Sequence, residues 1–123
     1  MYKRQPLIPA FDPVITRGKS QWDHLKRSHL FSFKNKPYEY HNGGLWPLVH
    51  GFFLATLANS HPKIAQKQLK VFAKKLKEDD YAFPEFYNGK TKKPGGTMHL
   101  GFSASAYILA YTAIIKKRPV IIR

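Results

Sequence analysis

The sequence predicts an all-α protein built from stacked helical hairpins. Two segments, Trp46 to Ala58 and Phe102 to Lys116, are apolar on every face, and an amphipathic segment, Pro62 to Lys77, lies between them. In a double-layered ring or solenoid the inner helices touch neighbours on all sides while the outer ones cover a single face, so stacked hairpins produce this order. At 123 residues the chain has the length of one domain. Its 43% hydrophobic and 15% aromatic content supplies a core that a disordered tail would lack.

The elements follow in chain order. Residues 1–18 carry prolines at 6, 9 and 13, which impose extended or irregular backbone. The same stretch keeps Leu7, Ile8, Phe11, Val14 and Ile15, so it reads as a strip laid against a larger body. Ser20-Gln21-Trp22-Asp23 resembles a capping box with Asp in place of Glu, opening a short helix that runs to about Ser28. Phe31 to Tyr40 alternates loosely and reads as loop or short strand. In the Trp46 to Ala58 helix, Pro47 takes a permitted first-turn position, and the all-round apolar pattern predicts burial. From Pro62, apolar Ile64, Ala65, Leu69, Phe72, Ala73 and Leu76 form one stripe, leaving Lys63, Lys67, Lys70, Lys74 and Lys77 as a solvated face. The last helix is predicted buried too, with small Ser103, Ala104, Ser105 and Ala106 permitting close approach. Two buried helices with one cover expose too much apolar surface, which predicts further chain or another subunit packed against them.

Composition excludes several function classes. There is no cysteine, and therefore no disulfide framework, thiolate zinc site or cysteine nucleophile. His24, His29, His50, His61 and His99 show no metal-ligand spacing, and neither a metal nor a cofactor is expected. No apolar stretch of signal-peptide type follows Met1, and the runs 45–58 and 102–115 fall short of the ~20 residues a membrane span needs, so the expectation is a soluble, cytoplasmic protein. The formal charge of +14, from 21 Lys and Arg against 7 Asp and Glu, raises nucleic acid as a partner. Against this, the lysines gather on one helix and the termini, with no recognition helix or stacking pattern of the RNA-binding kind.

Two polar, glycine-marked loops carry the chemistry. The first, Tyr38-Glu39-Tyr40-His41-Asn42-Gly43-Gly44-Leu45-Trp46-Pro47, opens a helix. The second, Tyr81-Ala82-Phe83-Pro84-Glu85-Phe86-Tyr87-Asn88-Gly89-Lys90, is followed by the Pro94-Gly95-Gly96-Thr97 turn. One helical passage down and one back separates them, so both face the same end of the stack. On spacing alone, Glu85 serves a site, caps a helix or pairs with Lys90. His41 and Asn42 either hydrogen-bond a ligand or close the turn before the glycines. Trp46 and Tyr87 either offer a ring face to a ligand or belong to the core. The glycines read as backbone necessities of tight turns.

The run YHNGGLWP, then FPEFYNGK about forty residues on, then the GFSASAYILA helix, resembles the C-terminal part of the alkaline/neutral invertase family and its bacterial relatives, often labelled glycogen-debranching or amylo-alpha-1,6-glucosidase-like. The family pattern is YHNGG-x-WP, then WPEYYDG, then a buried helix beginning near QTWS, and the likeness covers nearly the whole chain. The resemblance implies that residues 1–123 are the C-terminal segment of a six-hairpin glycosidase catalytic domain, a partial (α/α)6 toroid with a sugar site at one mouth. It implies hydrolysis of sucrose or a related oligosaccharide with inversion, in which a protonated carboxyl protonates the leaving oxygen and a second carboxylate activates water from the opposite face. By position in the motif Glu85 matches the general base, with His41, Asn42, Trp46 and Tyr87 as substrate-binding candidates. The family's acid is an Asp upstream of YHNGG, and neither Asp12 nor Asp23 sits in a matching segment. Glu78, Asp79 and Asp80 read as a solvated helix end, and Glu39 is set among aromatics. The implied protein is a fragment inactive alone, needing a complementary N-terminal polypeptide or self-association. A basic nucleic-acid-binding protein and a noncatalytic carbohydrate-binding protein are the alternatives.

Overall fold

The computed structural model describes residues 6–27 and 32–117. Four helices account for the body of the fold: α1 (Ser20–Arg27), α2 (Pro47–Ser60), α3 (Pro62–Glu78) and α4 (Gly101–Ile115). A minimal antiparallel pair, β1 (Phe86–Tyr87) with β2 (Pro94–Gly95), joins them in the register Phe86 to Gly95 and Tyr87 to Pro94. The expected end of α1 at Ser28, like Phe31 and His29, lies outside the described residues.

Local chemistry sets the helix boundaries. Trp46 is extended (φ −101°, ψ 115°) and Pro47 then opens α2, where its missing N–H costs nothing. His61 ends α2 and starts α3: its N–H donates to the Leu57 carbonyl at 2.8 Å, and its own carbonyl accepts from Ala65 N–H at 3.0 Å. Pro62 cannot continue the α2 ladder, so this single residue turns the chain back as a helical hairpin. At the other end of α3, Asp80 and Tyr81 take positive φ (50° and 54°), and Tyr81 N–H caps the Leu76 carbonyl at 2.8 Å.

α2 and α4 pack closest at Gly51. A Cβ there would stand 2.3 Å from the Ala106 carbonyl oxygen, so the two backbones are in direct contact. Around that contact α2 buries Pro47, His50, Gly51 and Leu54, and α4 buries Ser103, Ala106, Ala110 and Ile114. These are single stripes. The expectation that both helices are buried on every face does not hold: Phe102 is 69% and Ile108 62% exposed, and Val49, Phe52 and Phe53 are open as well. The reason is geometric, since each helix meets neighbours along one side only among the described residues. α3 follows its pattern except at its start, burying Ala65, Leu69, Phe72 and Leu76 and exposing the five lysines of its polar face, while Ile64 of the expected apolar stripe is 50% exposed in the first turn.

The N-terminal arm is part of the body. Leu7 is buried in the core cluster with Leu54, Leu69, Phe72 and Tyr87, a burial that stabilises by about 1.5–3 kcal/mol. Behind it, Ala10 N–H donates to Gly44 O at 3.0 Å, and Pro9 bridges Leu45. Ile8 N–H points at His50 Nδ1 at 3.4 Å. That contact places the His50 proton on Nε2, which is buried and has no hydrogen-bond partner among the described residues.

Candidate functional site

The two polar loops meet at one end of the helices, laced together by backbone. Leu45 and Tyr87 exchange both N–H···O bonds at 2.8 Å, and Gly89 N–H donates to Tyr38 O at 2.8 Å. Leu45 also bridges Pro9, so arm, first loop and second loop form one narrow ladder that ends in β2. The second loop is seated on α4, with Leu100 N–H donating to Phe83 O at 3.0 Å and Ser103 Oγ to the Pro84 carbonyl at 2.8 Å.

Between the loops opens a cleft of about 260 Å³, walled by Lys34, Lys36, Glu39, Tyr40, Glu85 and Phe86. Glu85 is fixed by its backbone and by its side chain. Its N–H donates to Thr97 O at 2.8 Å, and Thr97 N–H returns a hydrogen bond to Oε2 at 3.1 Å. The intervening Gly96 has φ +73°, and a Cβ on it would stand 2.3 Å from the same Oε2, so the turn admits the carboxylate only because this residue is glycine. From the first loop Tyr40 shares the cleft wall with Glu85. Burial first, and then the charge of Glu85, push the Tyr40 phenol above its ordinary range. Its ring stands edge-on to Trp46 (5.1 Å, 66°) and Phe86 (5.8 Å, 84°), with Lys34 Nζ 5.5 Å from its centroid.

The other sequence-derived candidates sit deeper. Trp46 is 8% exposed, stacks on His41 (4.9 Å, 30°) and donates Nε1–H to Tyr40 O at 3.0 Å. Asn42 is fully buried; both amide N–H groups go to backbone, Ile15 O at 2.7 Å and Asn35 O at 3.1 Å, and its oxygen accepts Ile15 N–H at 2.8 Å. Its amide clamps the arm to the first loop. Tyr87 is also fully buried, with its ring under Lys75 Nζ at 4.7 Å. Its hydroxyl faces Asp79 without closing a well-formed hydrogen bond, and burial together with that charge pushes the phenol up. His41 is half-buried at the edge of the aromatic stack, 4.3 Å from the Tyr40 ring and 6.2 Å from that of Phe11.

Two features escape a reading of the sequence. Tyr40 is one aromatic among several in its loop, and only its place beside Glu85 on the cleft wall distinguishes it. The end of α3 is not simply solvated: Asp79 (side chain 16% exposed) pairs with Lys75 (11%) at 2.8 Å beneath Tyr87, because β1 crosses above it.

Comparison with known proteins supplies the family. The alkaline and neutral invertase model matches residues 19–114. Alkaline/neutral invertase C, mitochondrial, of Arabidopsis thaliana is 44% identical over 59 residues, 47% of this chain and 9% of that protein. Neutral/alkaline invertase 1, mitochondrial, of Oryza sativa subsp. japonica is 42% identical over 59 residues, with the same shares of 47% and 9%. Probable alkaline/neutral invertase A, chloroplastic, of Arabidopsis thaliana is 39% identical over 61 residues, 49% of this chain and 9% of that protein. The chain thus spans about a tenth of the length of these curated relatives. The expectation of a cytoplasmic protein is overturned by these names, which are organellar, although a rice relative is named Cytosolic invertase 1. With the family model covering most of its length and both loop motifs inside the match, the chain belongs to the alkaline and neutral invertase family.

Proposed function

We propose that this chain supplies the general-base side of the active site of an inverting glycoside hydrolase that acts on sucrose or a related oligosaccharide. In this reading residues 1–123 are the C-terminal segment of a partial (α/α)6 toroid, the acid comes from outside the chain, and the chain is inactive alone. One observation carries it: Glu85, the carboxylate of the proline-aromatic loop, is presented at the wall of a cleft where the two motif loops converge. Its ionised oxygen takes a proton from water as that water attacks the anomeric carbon, while a carboxylic acid on the opposite side of the sugar protonates the departing oxygen. Tyr40, His41 and Phe86 give the sugar an aromatic border. Asn42, Trp46 and Tyr87 serve from behind by holding the loops in register.

The test joins this chain to the upstream part of an alkaline/neutral invertase and measures glucose release from sucrose. Glu85→Gln is expected to cut turnover by about 10²–10⁴-fold, the usual worth of a positioned base, with the fold intact by circular dichroism. Near-normal turnover sinks the assignment. Sucrose hydrolysis by the chain alone, lost on Glu39→Gln, would sink the incomplete-site reading instead, since Glu39 is the second carboxylate of the cleft.

A further inference from the structure

The lysines of α3 break a local rule. Lys63, Lys67, Lys70, Lys74 and Lys77 follow one another at offsets of four, three, four and three residues, and all five are exposed. With 3.6 residues per turn they fall within an arc of about 80°, and at 1.5 Å per residue the row runs about 21 Å along the helix. Like charges three and four residues apart repel, and a face suited only to solubility intersperses both signs. On α3 the one acid is Glu78, at its last residue, 4.0 Å from Lys74. The next acid, Asp79, is taken by Lys75, the inward-facing lysine, at 2.8 Å. The helix thus bears a repulsion that its own contacts among the described residues hardly relieve.

The place of the row decides what can use it. It lies opposite Ala65, Leu69, Phe72 and Leu76, the stripe that α3 buries against its neighbours, so cover over α2 and α4 would leave it open. A helix seated in a nucleic-acid groove meets phosphate walls on both flanks, whereas cations confined to the crest of a helix meet a plane. Beside the first turn Ile64 is half exposed and shares a small recess with the exposed Phe53 of α2, so apolar side chains border the lysines at that end. Cations with apolar side chains alongside suit the headgroup region of a bilayer.

We propose that the lysine row of α3 is a docking face for an anionic lipid bilayer, on which the chain adsorbs with α3 parallel to the surface. No helix among the described residues is long and apolar enough to cross a membrane, so the contact is peripheral. Each lysine brought near such a surface strengthens binding about fivefold, and the attraction fades within a Debye length. The docking face is independent of the role read for Glu85.

The test measures binding of this chain by co-sedimentation with vesicles of phosphatidylcholine, alone or mixed with phosphatidylserine, and by fluorescence anisotropy with a DNA duplex. Binding to the phosphatidylserine vesicles is expected, falling steeply from low to physiological salt. Lys67→Gln, Lys70→Gln and Lys74→Gln together are expected to weaken it on the order of 10²-fold. Glutamine matches lysine in helix propensity, so helix content by circular dichroism stays the same. Lys90→Gln, Lys93→Gln and Lys116→Gln remove as much charge from exposed positions off the row, and are expected to weaken binding far less. Equal losses from the two triple variants would reduce the effect to net charge and overturn the docking face. Equal binding to pure phosphatidylcholine would assign the contact to the open apolar faces of α2 and α4, and overturns it too. Tighter binding to the duplex than to the vesicles, at equal phosphate, would make nucleic acid the partner and overturn the bilayer.

Discussion

His50 offers a quantitative check on the packing of arm against helices. The ring is buried between Leu7 and Ile8 of the arm, Phe53 and Leu57 of α2, and Ile64 and Gln68 of α3, with no other ionisable side chain among the described residues lining that space. Burial lowers its pKa from 6.5 to about 4. A lowered histidine pKa means that the unfolded chain binds the proton more readily than the folded one. The associated stability is therefore whole above about pH 6.5, falls as pH drops, and levels off below about pH 4. At pH 4.5 the loss works out to about 2.5 kcal/mol, a large part of what a small fold possesses. The assay is urea unfolding at pH 7.5 and 4.5 for wild type and His50→Leu. The variant removes an orphaned buried N–H and a long 3.4 Å hydrogen bond together, so at pH 7.5 it is expected to differ from wild type by less than about 1 kcal/mol. Between the two pH values wild type should lose about 2.5 kcal/mol more than the variant. Equal losses would refute the burial of a neutral imidazole and, with it, the seating of the arm.

Two further outcomes follow from particular contacts. Gly51→Ala places a methyl 2.3 Å from the Ala106 carbonyl, and the backbone must yield; a net loss of about 1–3 kcal/mol is expected despite alanine's better helix propensity, and a stabilised variant in thermal melts would show that the helices do not touch there. Asn42→Ala strips three buried backbone partners at once, and a loss of about 2–4 kcal/mol is expected, with faster amide exchange at Ile15; unchanged exchange would mean that the arm is held elsewhere.

How much of this was legible in the sequence depended on the range of the interactions. The helix starts at Pro47 and Pro62 and the lysine face of α3 are local facts, written in adjacent residues or in a 3.6-residue period. The exposure of Phe102 and Ile108 was not, because an apolar helix reads the same whether or not a neighbour covers its second face. The ladder through Pro9, Leu45 and Tyr87 was hidden for a related reason: single-residue bridges have no alternation to detect. At the site, the convergence of the two loops followed from counting helical passages, and Glu85 stood out because acids are scarce. The direction of each side chain did not follow. Asn42 and His41 are adjacent in one motif, yet the amide of one is sealed inside and the ring of the other lies half-buried in the aromatic stack. Only the twist of a loop with positive φ at Tyr38, Tyr40 and Gly43 separates them.

The contacts that fix the two loops and those that leave apolar surface open belong to different parts of the molecule. The bonds that lace the two loops to each other and to the arm run among the arm, the loops and the first turn of α4: Asn42 to Ile15, Leu45 to Tyr87, Thr97 to Glu85, Ser103 to Pro84. None uses the open faces of α2 or α4. Cover for Phe52, Phe102 or Ile108 would therefore add stability without being needed to hold the loops together. The loops reach the core through Leu45 and Tyr87, whose backbones pair in the ladder and whose side chains both belong to the core cluster, the Tyr87 ring lying against Lys75 of α3. Loosening of the α2–α3 hairpin would reach the site through them. The arrangement of the two loops around Glu85 is thus a property of this stretch of chain and does not depend on cover for α2 and α4.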